Sequence, residues 1–425
     1  ASNKYTKLYL FIKRQFFFQR AAFFFSNFFI DFYRKLYMKL FENTEVAFAS
    51  KSDASLERAY FLFRLIANQP LVRIGTNIAQ FALKSHLPVE GLIRATVFDH
   101  FCSGTSASES IAVVNSLAEQ NVYSVLDYSV EGAKAEISLD ECLTNIIATI
   151  ELSATSANIP FTVFKPTGFG HPELYLKKSR QEALTAIESA AWERIRNRFI
   201  RCCEVAKKHN MMLLVDAEES WLQPAINELV EEMMSIYNKT NALIHTTAQL
   251  YLKDKLNYLS YLGEKAKEEN FIAGVKLVRG AYMEKEGARA KEFNYSNPIC
   301  SSKQETDKNF NAAWVYMLDN IDHFSLYFGS HNEESTYAII EALAERGIAK
   351  DHSHIWFGQL YGMSDHISFN LARAGFKVSK YLPFGPVKDV LPYLIRRAEE
   401  NTSVEGQTVR ELELIQKERK RRKLS

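Results

Sequence analysis

Beyond position 121 the chain keeps a rhythm that few architectures can accommodate. Short β-branched and apolar runs recur near 122–127, 161–165, 211–216, 242–247, 273–278, 324–330, 354–359 and 376–382. The segments between them, including 139–152, 179–209, 222–239 and 334–345, carry apolar residues at helical spacing. Strand alternating with helix argues for a parallel sheet, and about eight repeats over some 270 residues argue for a closed, TIM-like (β/α)8 barrel. An open doubly wound sheet is the alternative.

The remaining length is distributed around that barrel. Residues 1–42 form a basic, nearly acid-free extension in which Phe16, Phe17, Phe18, Phe23, Phe24, Phe25, Phe28 and Phe29 mix with Lys13, Arg14 and Arg20. Lys13, Arg14, Arg20 and Asp31 interrupt any run of the roughly 20 uncharged apolar residues that a membrane span needs. A targeting peptide, an interfacial helix and a translation artefact all remain open. Residues 43–120 read as an N-terminal helical arm, 121–405 as the barrel with a final helix over its mouth, and 406–425 as a charged helix or tail. The net charge of +2 argues against a dedicated nucleic-acid binder. Five cysteines without Cys-x-x-Cys spacing indicate neither a disulfide framework nor a zinc ribbon.

Polar residues gather just after the strand runs: Lys165, Asp216, Gln249, Arg279, Tyr282, His331, Asn332 and Gln359. In a barrel these are C-terminal strand positions, where functional sites lie. Strand alternation turns Lys276 toward the interior, where a buried ammonium needs an anion such as Asp216 or Glu218. His100 reads as a packed residue. The stretch 381–401 runs from a strand end through a Pro-Gly-Pro turn into a helix with two faces. Val390, Leu391, Leu394, Ile395 and Ala398 share one side, while Tyr393, Arg396, Arg397 and Glu400 share the other. Two adjacent guanidinium groups beside a phenol suit a small carboxylate. Asp389 is the expected N-cap, which places Pro392 in the first turn. No G-x-G-x-x-G, P-loop or G-x-S-x-G pattern occurs, and His352 and His354 precede a strand run instead of ending one, so a metal site is not indicated.

Two long motifs, Lys276-Leu-Val-Arg-Gly-Ala-Tyr282 and the 381–401 stretch, closely resemble those of the proline dehydrogenases of the short, monofunctional type. The segments 161–166, 215–219, 249–254 and 330–332 fall in the family's order, so the resemblance runs from about residue 88 to the C-terminus and says nothing of 1–42. It implies a (β/α)8 barrel that holds FAD and oxidises L-proline to 1-pyrroline-5-carboxylate, passing electrons to a membrane quinone. It implies that Arg396 and Arg397 bind the proline carboxylate with Lys165 nearby, and that Tyr381 and Tyr393 line the ring pocket. Lys276, Asp216 and Lys165 form the implied catalytic set, with Lys276 beside the flavin and Asp216 and Glu218 orienting the group. Arg279, Gln249, His331, Glu400 and Gln359 join Lys276 as implied FAD contacts. Many bacterial members reverse the Lys276 and Arg279 types, so the detail of flavin tuning does not carry over. Hydroxyproline-acting relatives carry a small residue in place of Tyr381, which implies a preference for proline here. The implied location is peripheral to a membrane, on the cytoplasmic side in a bacterium or the matrix side of the mitochondrial inner membrane in a eukaryote. Two alternatives are a catalytically silent barrel that binds membranes through 1–42 and the basic tail 417–423, and another flavin barrel such as a methylenetetrahydrofolate reductase.

Overall fold

Alternation decides how the strands are used. In the computed structural model, which describes residues 39–68, 70, 72, 75, 90–129, 136–403 and 407–424, eight parallel strands close into one barrel in sequence order. They are β1 (Tyr123–Tyr128), β2 (Phe161–Phe164), β3 (Met212–Val215), β4 (Ile244–Gln249), β5 (Ala273–Val278), β6 (Phe324–Gly329), β7 (Ile355–Leu360) and β8 (Val378–Phe384). β8 pairs with β1 along its length, Tyr123 opposite Ser379 and Tyr128 opposite Phe384, which seals the cylinder. Leu126, Phe164, Leu213, Val275, Leu326 and Phe357 point outward and join the core under the helices. Val125, Phe161, Val163, Leu214, Tyr327, Trp356 and Tyr381 pack together in a separate apolar cluster inside.

That interior is a plug of aromatic rings. Phe161 stands edge-on to Trp356 at 5.0 Å and to Tyr327 at 5.3 Å between centroids. Gly358 makes room for it, since a Cβ there would come 2.0 Å from the Tyr327 hydroxyl. The plug fills the barrel below the strand tips and leaves the tips themselves for chemistry.

The arm contributes α1 (Asp53–Ile66) and α2 (Ala107–Ala118). Around the barrel follow α3 (Glu136–Ser153), α4 (Ala186–Lys208), α5 (Gln223–Tyr237), α6 (Lys255–Glu268), α7 (Met283–Glu292), α8 (Lys303–Asp319), α9 (Glu333–Glu345) and α10 (Asp365–Arg373). The helical segment expected over 179–209 is observed as α4, which starts later, at a capping box in which Thr185 and Glu188 bond each other's backbone N–H, while a separate short helix, Pro172–Ser179, precedes it.

After β8 comes α11 (Val387–Ser403), and here the expected start is corrected. The N–H groups of Asp389 and Val390 already bond the Pro386 carbonyl, so the helix starts before Asp389 and Pro392 lies inside it. The turn at Gly385 and Pro386 launches the helix earlier, and Pro392 costs one backbone bond within it. The last helix, α12 (Gln407–Arg421), packs Leu414 and Ile415 against Leu56, Ala59 and Phe63 of α1.

Ion pairs clasp α12 to the arm: Lys417 to Glu42 at 2.9 Å, Arg419 to Glu57 at 2.5 Å and Arg422 to Asp53 at 3.0 Å. Much of the basic run 417–423 is therefore engaged with acidic groups of the protein itself. Residues 1–38 lie outside the described residues, whereas Leu40–Glu42 form one 3-10 turn whose Phe41 is fully buried beside Tyr337.

Candidate active site

One carboxylate organises the strand tips. Asp216, at the end of β3, accepts from Lys165 Nζ of the β2 tip at 2.9 Å and from Lys276 Nζ of β5. The Tyr381 hydroxyl of β8 lies 3.0 Å from both of its oxygens. Burial opposes ionisation of Asp216, but the ammonium groups of Lys165 and Lys276 outweigh it and hold the carboxyl well below the usual range. Of the two expected partners for Lys276, the structure selects Asp216. Glu218 comes after the strand has ended and turns to Thr167, taking its N–H at 2.8 Å and its hydroxyl at 2.6 Å. Burial pushes the Glu218 carboxyl up to about 7.

A second carboxylate, Asp127 of β1, completes the group and was not anticipated. It is fully buried, 3.9 Å from Lys165 Nζ, and accepts the Ser129 hydroxyl. Burial raises its pKa, so two nearby carboxylates are pushed in opposite directions. Asp127 sits in the apolar run of β1 with no motif around it, and only its place in an inward register could have singled it out. Tyr381 stays a protonated donor, because burial and the Asp216 charge push its phenol far above the ordinary value. Its ring also faces the Lys276 ammonium at 5.0 Å.

The opposite side of the mouth is built from β5, β6 and β7. Arg279 spends its guanidinium on Asp307 (2.7 Å), Ser330 (2.9 Å) and Ser335 (3.0 Å) and lies over the Phe310 ring. The next residue, Gly280, has φ +126° and lies against the Tyr251 ring, where a Cβ would come 2.2 Å from a ring carbon. Gln249 donates to the Glu218 carbonyl at 2.7 Å and Gln359 to the Ser330 carbonyl at 3.1 Å. His331 pairs with Ser364 at 2.9 Å, and burial lowers its pKa to about 3, so it is neutral.

From α11, Tyr393, Arg396 and Arg397 reach the same cavity, which encloses about 550 Å³. Lys165, Asp216, Gln249, Lys276, Arg279, His331, Gln359 and Tyr381 all line it. The structure thus brings to this cavity every expected substrate- and cofactor-contacting residue except Glu400, whose side chain lies outside the described residues; Glu218, expected to help orient the group, does not line it. His100 is not among them. Its Nε2 pairs with the Gly362 carbonyl at 2.9 Å, and burial lowers its pKa to about 4. Sequence reasoning missed the rim formed by Glu333, His366 and Arg410, in which Glu333 binds His366 at 3.0 Å and Arg410 at 2.8 Å. That rim joins three segments far apart in the chain.

The donor chemistry fits a flat, phosphate-bearing cofactor. Lys276, Arg279, Lys303 and Arg410 line the cavity, each paired with a carboxylate of Asp216, Asp307 or Glu333, and with Arg396 and Arg397 they leave its lining rich in cationic donors of the kind that hold a diphosphate. Gln249, Gln359 and the neutral His331 add polar groups of the kind that hydrogen-bond a heterocycle.

A closed barrel with a cation-rich cavity at its strand tips and a two-arginine helix reaching into that cavity is the architecture of a (β/α)8 enzyme. The family model described as proline dehydrogenase matches residues 110–410, and the chain belongs to that family of oxidoreductases. Among its relatives, the carbapenem antibiotics biosynthesis protein CarD of Pectobacterium carotovorum is 38% identical over 351 residues, covering 82% of this chain and 91% of the relative. Mitochondrial proline dehydrogenase 1 of Arabidopsis thaliana is 31% identical over 422 residues, covering 88% and 85%. The hydroxyproline dehydrogenase of Xenopus laevis is 30% identical over 412 residues, covering 88% of each. Among solved structures, proline utilization A from Bdellovibrio bacteriovorus, inactivated by N-propargylglycine, superposes with a TM-score of 0.70 at 18% identity. The match covers 91% of this chain but only 43% of that one, and the likeness is one of fold.

Proposed function

We propose that this protein oxidises L-proline to 1-pyrroline-5-carboxylate with FAD and passes the electrons to a membrane quinone, the first step of proline catabolism. The observation that carries this reading is a single cavity with Arg396 and Arg397 on one wall and the knot of Asp216, Lys165, Lys276 and Tyr381 at its base. In this reading the two guanidinium groups clamp the substrate carboxylate, each contact contributing roughly 1.5–3 kcal/mol. Tyr381 and Tyr393 form the walls beside the ring. With its hydroxyl tied to Asp216, Tyr381 keeps its ring in place against the Lys276 ammonium.

Lys276, Arg279, Gln249, His331 and Gln359 are the residues that would hold the cofactor, with Glu400 as a further candidate. The flavin, when bound, supplies the two-electron acceptor for oxidation of the ring C–N bond. The protein's part is orientation: a clamped carboxylate presents one edge of the ring, which turns a bimolecular encounter into a positioned one. No helix among the described residues is long and apolar enough to cross a membrane. In this reading the protein makes peripheral contact with the membrane that holds the quinone.

Reduction of the flavin by proline tests the reading. Purified protein reconstituted with FAD is expected to be yellow and to bleach when proline is added under anaerobic conditions. Protein that takes up no flavin, or flavin that proline fails to bleach, contradicts it. Arg396→Met is expected to weaken proline binding far more than FAD binding, and equal loss of both would point to misfolding.

A further inference from the structure

Behind the wall that carries Glu218 and Gln249, α5 and α6 meet through polar side chains where two barrel helices would ordinarily bury apolar ones. From α5 come Gln223, Asn227 and Glu231 at four-residue spacing, 2%, 9% and 5% exposed, and from α6 come Lys255, Tyr258 and Lys265. Between them lies a cavity of about 530 Å³ that shares no lining residue with the catalytic mouth.

Most of these groups satisfy one another. Lys265 pairs with Glu231 at 2.9 Å, and Gln223 Nε2 donates to Asn227 Oδ1 at 2.8 Å. Lys255 is an exception, as is the neighbouring Tyr258 hydroxyl, which is buried without a hydrogen-bond partner among the described residues. Lys255 is 7% exposed, its ammonium faces the Tyr258 ring at 5.1 Å, and among the described residues no carboxylate lies within ion-pair distance of it. Other acidic groups are nearby but differently placed. Asp254 and Glu228 line the same cavity but are exposed, and Glu286, from α7, holds the Ser220 N–H and hydroxyl, each at 2.6 Å. Burial lowers the Lys255 pKa, with Asp254 and Glu286 opposing the shift. Lys255 is also the first residue of α6, whose opening turn no side chain caps, so positive partial charge from the helix end adds to that of the ammonium. A buried cation without a counter-ion is costly, and a cavity in front of it is where a counter-ion can sit.

We infer that the α5–α6 cavity is a second binding site, for a compact oxyanion, either a carboxylate or a phosphate on a small molecule, held by Lys255 Nζ, the Asn227 amide and the first turn of α6. A short chain of hydrogen bonds links the site to the mouth. Asn227 holds Gln223, Gln223 Oε1 accepts the Glu218 N–H at 3.3 Å, and the Glu218 carbonyl holds Gln249. An anion that draws on the Asn227 amide therefore acts within three hydrogen bonds of a cavity residue.

Calorimetric titration of the full chain with inorganic phosphate and, separately, with succinate tests this without reference to proline turnover. At least one anion is expected to bind saturably. Lys255→Met should weaken that binding about tenfold or more, equivalent to about 1.4 kcal/mol. Lys255→Arg should largely preserve it, and Arg396→Met, in the catalytic mouth, should leave it unchanged. Binding of phosphate alone would identify the phosphate source, and of succinate alone the carboxylate source. If circular dichroism shows that Lys255→Met does not fold, Asn227→Leu carries the same expectation. The inference is overturned if neither anion binds, or if binding survives in whichever of these two variants folds. Loss of binding in Arg396→Met instead would assign the anion to the mouth and overturn it as well.

Discussion

Asp216 satisfies three donors from three strands, and each is a residue on which substrate or cofactor would bear. Glu218, two positions on, offers a sharper test because its folded-state pKa of about 7 lies above the ordinary carboxylate range. The folded protein keeps a proton there that the unfolded chain releases at lower pH. Its contribution to stability is thus present below the unfolded value and lost as the pH rises through about 7. Glu218→Gln imitates the protonated form and is expected to match the parent near pH 5 and exceed it near pH 8, by on the order of 2 kcal/mol. Denaturant unfolding at the two pH values measures this, and a parent and variant that stay parallel would rule it out. Tyr381 carries the specificity expectation. Tyr381→Ser should admit 4-hydroxyproline at a rate approaching that for proline, read as a ratio of kcat/KM, and unchanged selectivity would contradict the pocket reading. The relative named for hydroxyproline makes that ratio the informative quantity.

At the scale of elements, the loop after β7 is held from behind. Lys380 of β8, fully buried, donates to the carbonyls of Met363 at 2.5 Å and Leu360 at 3.4 Å and pairs with Asp365 at 2.8 Å, while Lys51 of the arm meets the same carboxylate at 3.1 Å. Glu411 of α12 takes the Ser364 N–H at 2.5 Å. Leu360, Met363 and Ser364 line the catalytic cavity, so arm and final helix both brace one of its walls. Lys51→Met is expected to cost roughly 1–3 kcal/mol, less than a fully broken buried pair because Asp365 keeps Lys380, and Lys51→Arg should restore most of it. Thermal unfolding of the three proteins decides the point, and no change in Lys51→Met would mean that solvent screens the pair. None of this was visible in the sequence, because Lys51 and Asp365 are separated by most of the barrel and neither sits in a periodic pattern. The eight strands were visible, since strands buried on both faces read as short, near-continuous β-branched and apolar runs set between helical segments. The start of α11 was misplaced because Asp389 is a good capping residue, yet the turn at Pro386 had already begun the helix.

For the molecule as a whole, the clasp between α12 and the arm changes where a membrane contact is to be sought. Lys417, Arg419 and Arg422 are paired with acidic residues of the arm, so the tail retains less free charge than its composition suggests. Liposome flotation with anionic vesicles is expected to depend on the aromatic, basic residues 1–38, with the protein lacking them remaining at the bottom of the gradient. Flotation of the shortened protein would move the contact to the folded body. The aromatic plug of Phe161, Tyr327 and Trp356 bears on turnover in another way. With the barrel stopped below the strand tips, nothing that enters the mouth can pass through to the far end of the barrel. Oxidised product and incoming electron acceptor would share one doorway, so the two half-reactions are expected to alternate, giving parallel lines in double-reciprocal plots and competition between acceptor and product analogues.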